Sequence, residues 1–282
     1  MAKVQIICPS CSKQGYIEIM EETIKNVTRG LLAVNIASHT ICEHIFIAYI
    51  DKNLNVRDYF IADFQVEIPE IVPKKKFEEF KVPGKDIVDI DLIKLNMPAI
   101  LLAYTIKSIF AKQKIVIITD YKFLYNHIIN FFNYIVKDTF SLNIKLMSEE
   151  EYKGSKKDFK DYMVFQGTKI INNNDKLINP KKLYVEKQFA SKFFSEQELG
   201  YSYILLKNEI QKVFELTKSI GEFIKKEETD GEKTNILKIT SFLEKDYNTK
   251  INPTYLNFLI EIVENYFNIK VPSISESFLE SL

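Results

Sequence analysis

Every cysteine of this 282-residue chain lies within its first 42 positions, as Cys8-Pro9-Ser10-Cys11 and then Cys42, which Glu43 alone separates from His44. A Cys-x2-Cys pair closes a tight turn that brings two sulfurs to one point; Pro9 presets such a turn and Gly15 can release it. That turn is half of a tetrahedral metal site. Cys42 with one imidazole supplies the other half, and a Cys3His set of soft sulfur and borderline nitrogen suits Zn²⁺ better than Mg²⁺ or Ca²⁺. A fold that uses this set has to hold residues 8 and 42 side by side.

Two histidines compete for the fourth position. His39-Thr40-Ile41-Cys42 repeats the x2 spacing, whereas Cys42-Glu43-His44 sets the ligands two residues apart, on one face of an extended strand. His39 falls in the polar stretch Ala37-Ser38-His39-Thr40, which reads as a hairpin loop, and this favours His44. The expected ligands are thus Cys8, Cys11, Cys42 and His44, with His39 as the alternative. A thioredoxin-type redox pair needs a helix directly after the motif. Here residues 4–7 lead in as a strand and residues 16–19 lead out as another, so zinc is preferred to redox chemistry. Glu43 is the only carboxylate among the ligands, and an alternating strand turns it away from Cys42 and His44. Four ligands without a placed base point to a closed, structural zinc and to no catalytic residue.

The rest of the chain narrows the function by exclusion. A 46% hydrophobic content over this length allows one large core or two ordinary domains. The charge is zero, from 38 basic and 38 acidic side chains, which gives no global drive toward nucleic acid or an acidic membrane. No leader is recognisable at residue 1 and no apolar run reaches spanning length; the longest, 97–110, is interrupted by Lys107 and polar residues. A cytoplasmic protein without membrane insertion is expected. The cluster Lys74-Lys75-Lys76, followed by Glu78 and Glu79, reads as a solvated linker.

Three parts are expected, in an α+β arrangement. Residues 1–68 read as a small zinc-ribbon-like β domain, including a hairpin in which 45–50 and 56–61 flank the turn 51–55, and a short helix over 21–32. The prolines at 69, 73 and 83 mark a linker over 69–86. Residues 87–180 read as an α/β domain: an apolar helix opened by Pro98, a strand over 114–119, a helix from 121 to about 136 capped by Asp120, and strands near 143–147 and 162–165 with a hairpin through Gly167. Residues 181–282 are helical, over 195–226, 236–245 and 253–267, with a winged-helix-like arrangement possible at 233–282.

Other chemistry is weaker. The strand at 115–118 is followed by Thr119-Asp120-Tyr121 without glycine, so no phosphate cradle is present. Asp120, at a strand's carboxyl end, is the best enzymatic candidate outside the cysteines, although an N-cap role accounts for it. His127 reads as a satisfied core histidine, Glu149-Glu150-Glu151 as an exposed acid run, and the stripe Phe123, Phe131, Phe132 and Tyr134 as core.

Two resemblances add to this. The motifs Cys8-Pro9-x-Cys11, Cys42-Glu43-His44-x-Phe46 and Asp51-Lys52-Asn53, with Arg57, resemble a group of uncharacterised archaeal proteins sharing a CPxC, CEHxF and DKN signature. The resemblance covers about the first 60 residues, supports His44 as a ligand and makes Arg57 a family-type position. It implies no activity. The stretch 98–140 is similar to the central helix-strand-helix of DENN domains, which bind small GTPases, but the Pro-rich strand that follows in those modules is absent. The combined expectation is a non-enzymatic, zinc-stabilised interaction or adaptor protein, with a protein partner such as a small GTPase. A zinc-ribbon/winged-helix nucleic-acid or transcription-complex factor is the alternative, and a zinc hydrolase the third option. The nucleic-acid alternative needs Lys74–Lys76, Lys156, Lys157, Lys160, Lys181 and Lys182 on one face.

Overall fold

The computed structural model describes residues 1–20, 23, 31–61, 68, 69, 84–232 and 234–271. It is an α+β fold with small β-sheets at the amino terminus and helices at the carboxyl end. Strands β1 (Ala2–Ile7) and β2 (Gln14–Ile19) form an antiparallel pair. Strands β3 (Leu32–Ile36), β4 (Phe46–Ile50) and β5 (Val56–Ile61) form a second antiparallel sheet in that order. Of residues 21–30 only Thr23 is described and it is helical, whereas Leu32, the expected helix end, opens β3. Nearly all of the expected linker, and residues 272–282, lie outside the described residues.

Strand β4 explains how the amino-terminal part joins the rest. Side chains alternate across a strand, and all five residues of β4 are buried because each face meets a different core. Ile47 and Tyr49 point into the large core. Phe46, Ala48 and Ile50 point into a smaller one with Val4, Ile6, Ile19 and Cys8. The β1–β2 pair thus covers the outer face of the sheet, while its inner face packs against helices.

The turn between β4 and β5 is built on Asp51, which is 5% exposed. Its carboxylate accepts the backbone N–H groups of Asn53 and Asn55, both at 2.9 Å, and Nε of Arg57 at 2.6 Å. Burial alone would raise its pKa, but these donors hold it below the usual carboxylate value. Arg57 therefore serves the turn, which gives the Asp51-Lys52-Asn53 motif and Arg57 one physical purpose.

Helices α1 (Ile90–Asn96) and α2 (Ala99–Phe110) come next, bent by 106° at the break before Pro98. No single helix among the described residues is long and apolar enough to cross a membrane. Pro98 offers no side-chain cap, and the free N–H of Ala99 is taken instead by the carboxylate of Asp58 in β5 at 2.7 Å. Every residue of α2 except Ile100 is buried, and Thr105 and Ser108 satisfy their hydroxyls on the helix's own carbonyls.

A four-stranded sheet follows, in the order β7 (Ile144–Met147), β6 (Lys114–Ile118), β8 (Tyr162–Gln166), β9 (Lys169–Asn172). Strand β6 runs parallel to β7 and β8, and β9 returns antiparallel through Gly167, whose φ of +55° suits a residue without Cβ. As in β4, both faces of β6 are buried: Ile115 and Ile117 meet the large core, and Val116 and Ile118 meet Tyr152, Phe159 and Val164. The helices between strands are α3 (Tyr125–Ile135) and α4 (Glu149–Ser155). The acid run is the first turn of α4, where Glu151 and Ser148 close a capping box. Phe131 and Phe132 are fully buried, but Phe123 is 60% exposed and leaves the expected core stripe.

The carboxyl part is helical. Helix α5 (Tyr184–Ser195) lies on α2, and the 31-residue α6 (Leu199–Thr229) covers the expected 195–226 from Leu199 onward without a break, whereas Ser195 ends α5. Helices α7 (Ile236–Tyr247) and α8 (Pro253–Phe267) pack on α6, each capped by an asparagine, Asn235 and Asn252. No strand follows Asn172 among the described residues.

One buried charge ties α1 to the end of α5. Lys94, 2% exposed, donates to the carbonyl of Glu196 at 2.6 Å and lies over the Phe193 ring. Burial brings its pKa down to about 8, against the opposing pull of Glu196 and Asp91. The folded protein releases this proton before the unfolded chain does, so stability rises with pH between about 8 and the ordinary lysine value. Relative to a Lys94→Met variant, the protein should gain on the order of 2 kcal/mol across that window, read by urea melts at stepped pH. Parallel pH profiles for the two proteins would contradict it.

Candidate metal centre

The turn 8–11 is shaped by its backbone. Cys8 N–H donates to Lys13 O, Ser12 N–H donates to Cys8 O, both at 2.9 Å, and Ser10 N–H approaches Cys8 Sγ at 3.4 Å. Ser12, with φ at +61°, takes the left-handed conformation at the end of this turn, so its release falls on Ser12 and not on Gly15. Gly15 sits inside β2 opposite Ile6, and a Cβ there would come to 3.0 Å of the Ile41 side chain. It serves close packing of β2 on the second half-site.

That second half-site is the loop between β3 and β4. His39 N–H donates to Cys42 O at 2.7 Å, and Ser38 Oγ donates to Glu43 O at 3.0 Å, which folds 37–43 into a compact turn. Cys42 and His44 lie in this bend and not on an extended strand; loop closure, not strand alternation, points them the same way. His39 is exposed at the loop tip with φ at +68°.

The ligand atoms of Cys8, Cys11, Cys42 and His44 all lie within 4.8 Å of one another, so the four can hold a metal ion. Tetrahedral bonds to sulfur and nitrogen set a sulfur and a nitrogen about 3.6 Å apart, and two sulfurs about 3.8 Å apart. Cys42 Sγ and His44 Nδ1 are 3.6 Å apart. Cys8 is buried, Cys42 and His44 are half-buried, and Cys11 is exposed. Among the described residues neither His39 nor any carboxylate belongs to the cluster, and Glu43 is exposed beside it.

The electrostatics favour a cation. Burial pushes the Cys8 thiol up, but N–H groups of Cys11 and Ser10, aided by the neighbouring thiols, outweigh it and bring Cys8 down to about 7. Burial and the adjacent Cys8 and Cys11 raise Cys42, against the N–H of His44. Three sulfurs this close cannot all ionise without a positive partner.

The carboxyl end of the parallel strands is the other place where an open α/β sheet keeps a ligand site, at the point where one connection takes β6 to β7 and the next crosses from β7 to β8 on the opposite side of β6. Here its polar groups bond one another. Asp120 Oδ1 accepts the N–H of Glu149 at 3.1 Å and so serves the start of α4, not the helix after β6. Glu149 in turn binds Gln166 and Lys153. His127 is satisfied as well, its Nδ1 accepting Asp89 N–H at 3.1 Å, which fixes the remaining proton on Nε2 when the ring is neutral. Lys156, Lys157 and Lys160 line one hollow and Lys181 another. The capping and buried-charge roles of Asp58 and Lys94 had no local sequence signal, since their partners lie 41 and 102 residues away. No protein-family model and no curated protein matches this chain.

Proposed function

We propose that Cys8, Cys11, Cys42 and His44 bind one structural Zn²⁺ and that the chain is a zinc-stapled interaction protein. The observation that carries the metal is the convergence of three thiols and one imidazole from two turns, with 30 residues between Cys11 and Cys42. Soft sulfur selects zinc over the hard cations, and four protein ligands fill a tetrahedron. A two-stranded pair over a small core is marginal by itself, so a staple there has a structural purpose.

Support for the interaction role comes from the surroundings of the centre. Pro9, Ser10 and His44 form part of the rim of a groove of about 2400 Å³. Purified protein should carry about one zinc per chain by elemental analysis. His44→Ala should weaken zinc more than about a hundredfold and His39→Ala less than about threefold, by competition with a chromogenic chelator. The reverse order would move the fourth ligand to His39. Turnover of an ester, peptide or phosphodiester that tracks zinc occupancy would replace the structural role by a hydrolytic one.

A further inference from the structure

The three thiols of the metal centre differ in how far solvent reaches them. Cys8 is 1% exposed, lines the small core with Val4 and Ile6, and has Ser10 N–H on its Sγ at 3.4 Å. Cys42 is half-buried at the rim of that core, and Cys11 is exposed. A cysteine binds metal as its thiolate, so zinc would keep a thiolate at the surface on Cys11. Thiolate character together with exposure makes a cysteine oxidisable, above all beside a second thiol that can resolve the product. Two such thiols are near, since the ligand atoms all lie within 4.8 Å of one another. To meet Cys11, Cys8 has to leave the core and the N–H of Ser10. Cys42 leaves only a rim position.

We infer that the metal centre is a peroxide-sensitive switch in which Cys11 is oxidised, Cys42 resolves it, and zinc leaves without unfolding the amino-terminal part. This rests on the reading of the four residues as a zinc site and assigns that site a regulation. In the first step the Cys11 thiolate attacks a hydroperoxide: an S–O bond forms, the O–O bond breaks and hydroxide departs, leaving a sulfenic acid. In the second the Cys42 thiolate attacks the Cys11 sulfur, so that an S–S bond forms and the S–O bond breaks with loss of a second hydroxide. The two thiolates give up two electrons and the peroxide takes them. Zinc, left with Cys8 and His44, is released, and Cys8 takes a proton from water. The new bond spans the same 30 intervening residues as the metal did, and so restrains the same loop. A disulfide between Cys8 and Cys11 would restrain one turn and join nothing across the two half-sites. Protonated Cys8 is a small apolar side chain in a core it already lines.

The test treats the zinc-loaded full chain with hydrogen peroxide in the presence of a chromogenic zinc chelator. Expected are release of the bound zinc, an intact mass lower by about 2 Da, and a Cys11–Cys42 link in unreduced peptide maps. Hydrogen-exchange protection over residues 2–19 should persist, and a dithiol with added zinc should restore the starting state. Cys11→His keeps a fourth ligand but removes the exposed thiolate, so it should hold zinc and release it to peroxide at least about tenfold more slowly. If that variant fails to bind metal, the peptide map of the unmodified chain still decides the matter. A Cys8–Cys11 link, a gain of about 32 Da on Cys11 from sulfinic acid, or zinc retained under peroxide would overturn the switch. Loss of protection over 2–19 in the oxidised chain would overturn it as well. A chain that carries no metal before treatment would overturn the zinc reading by itself, and the disulfide map would then show separately whether Cys11 and Cys42 are the reacting pair.

Discussion

Replacing Cys8 by Ser is expected to release the metal and unfold the β1–β2 pair while the helical body stays folded. Cys8 is the buried ligand, and its loss takes a thiolate from the centre and opens the small core at the same point. Structural zinc contributes about 10–16 kcal/mol of apparent binding energy in small metal-dependent domains. A core of this size supplies only a few kcal/mol on its own, roughly 3–5 at most. The staple therefore dominates locally. The body should survive because Ile47 and Tyr49 belong to the large core, with the Tyr49 ring 5.5 Å from that of Phe194. Hydrogen exchange should show loss of protection over residues 2–19 with α2 and α6 unchanged, and elemental analysis should show zinc gone. Full metal content in the variant would remove this site.

Lys107→Ala should cost about 3–5 kcal/mol, because it strips the partner from a buried carboxylate. Lys107 reaches from α2 to Glu261 at 2.6 Å and to Glu186 at 3.6 Å, joining α5 and α8. Glu186 is 2% exposed, and burial already raises its pKa against the pull of Lys107. Without that cation the shift grows. A carboxyl whose folded pKa exceeds its unfolded value favours folding as it becomes protonated, so the deficit of the variant should shrink from pH 7 toward pH 5. Joint Lys107→Met and Glu186→Leu should recover most of the loss, since an apolar replacement removes both desolvation costs. Urea melts at the two pH values measure this; a loss below about 1 kcal/mol would mean that the pair is solvated.

How much of this could be read from the chain depended on the range of the interaction. The strands at 46–50, 56–61 and 114–118, and the helices at 236–247 and 253–267, announce themselves by periodicity and by nearby turn or cap residues such as Asn252-Pro253. The cysteine set was legible because few residue types ligate zinc and their spacing is local in each half. The wrong details were also local. Gly15 looked like the turn residue but packs under Ile41, while Ser12 takes the turn conformation. Cys42 and His44 matched a strand's repeat, yet backbone bonds from His39 and Ser38 bend the loop there. Asp120 sits where an N-cap belongs, but the N–H it serves comes from Glu149, across the sheet. Lys107 within an apolar helix looked like an interruption because its carboxylate partners lie 79 and 154 positions further on. No window of neighbouring residues contains those pairings.

The two-faced strand β4 also sets an order of events during synthesis. Its outer face can close as soon as residues 1–50 have left the ribosome, since Val4, Ile6 and both half-sites of the metal centre are then present. Its inner face cannot. Tyr49 waits for Phe194, made about 145 residues later, an interval of roughly 7–29 s at about 5–20 residues per second. With the proposed metal bound, the nascent chain through that interval carries a closed outer face on one side of the sheet and an inner apolar face still short of Phe194 on the other. Chaperone demand should therefore fall on Ile47, Tyr49 and Phe60, and a cell short of zinc would leave both sides of β4 open to aggregation at once.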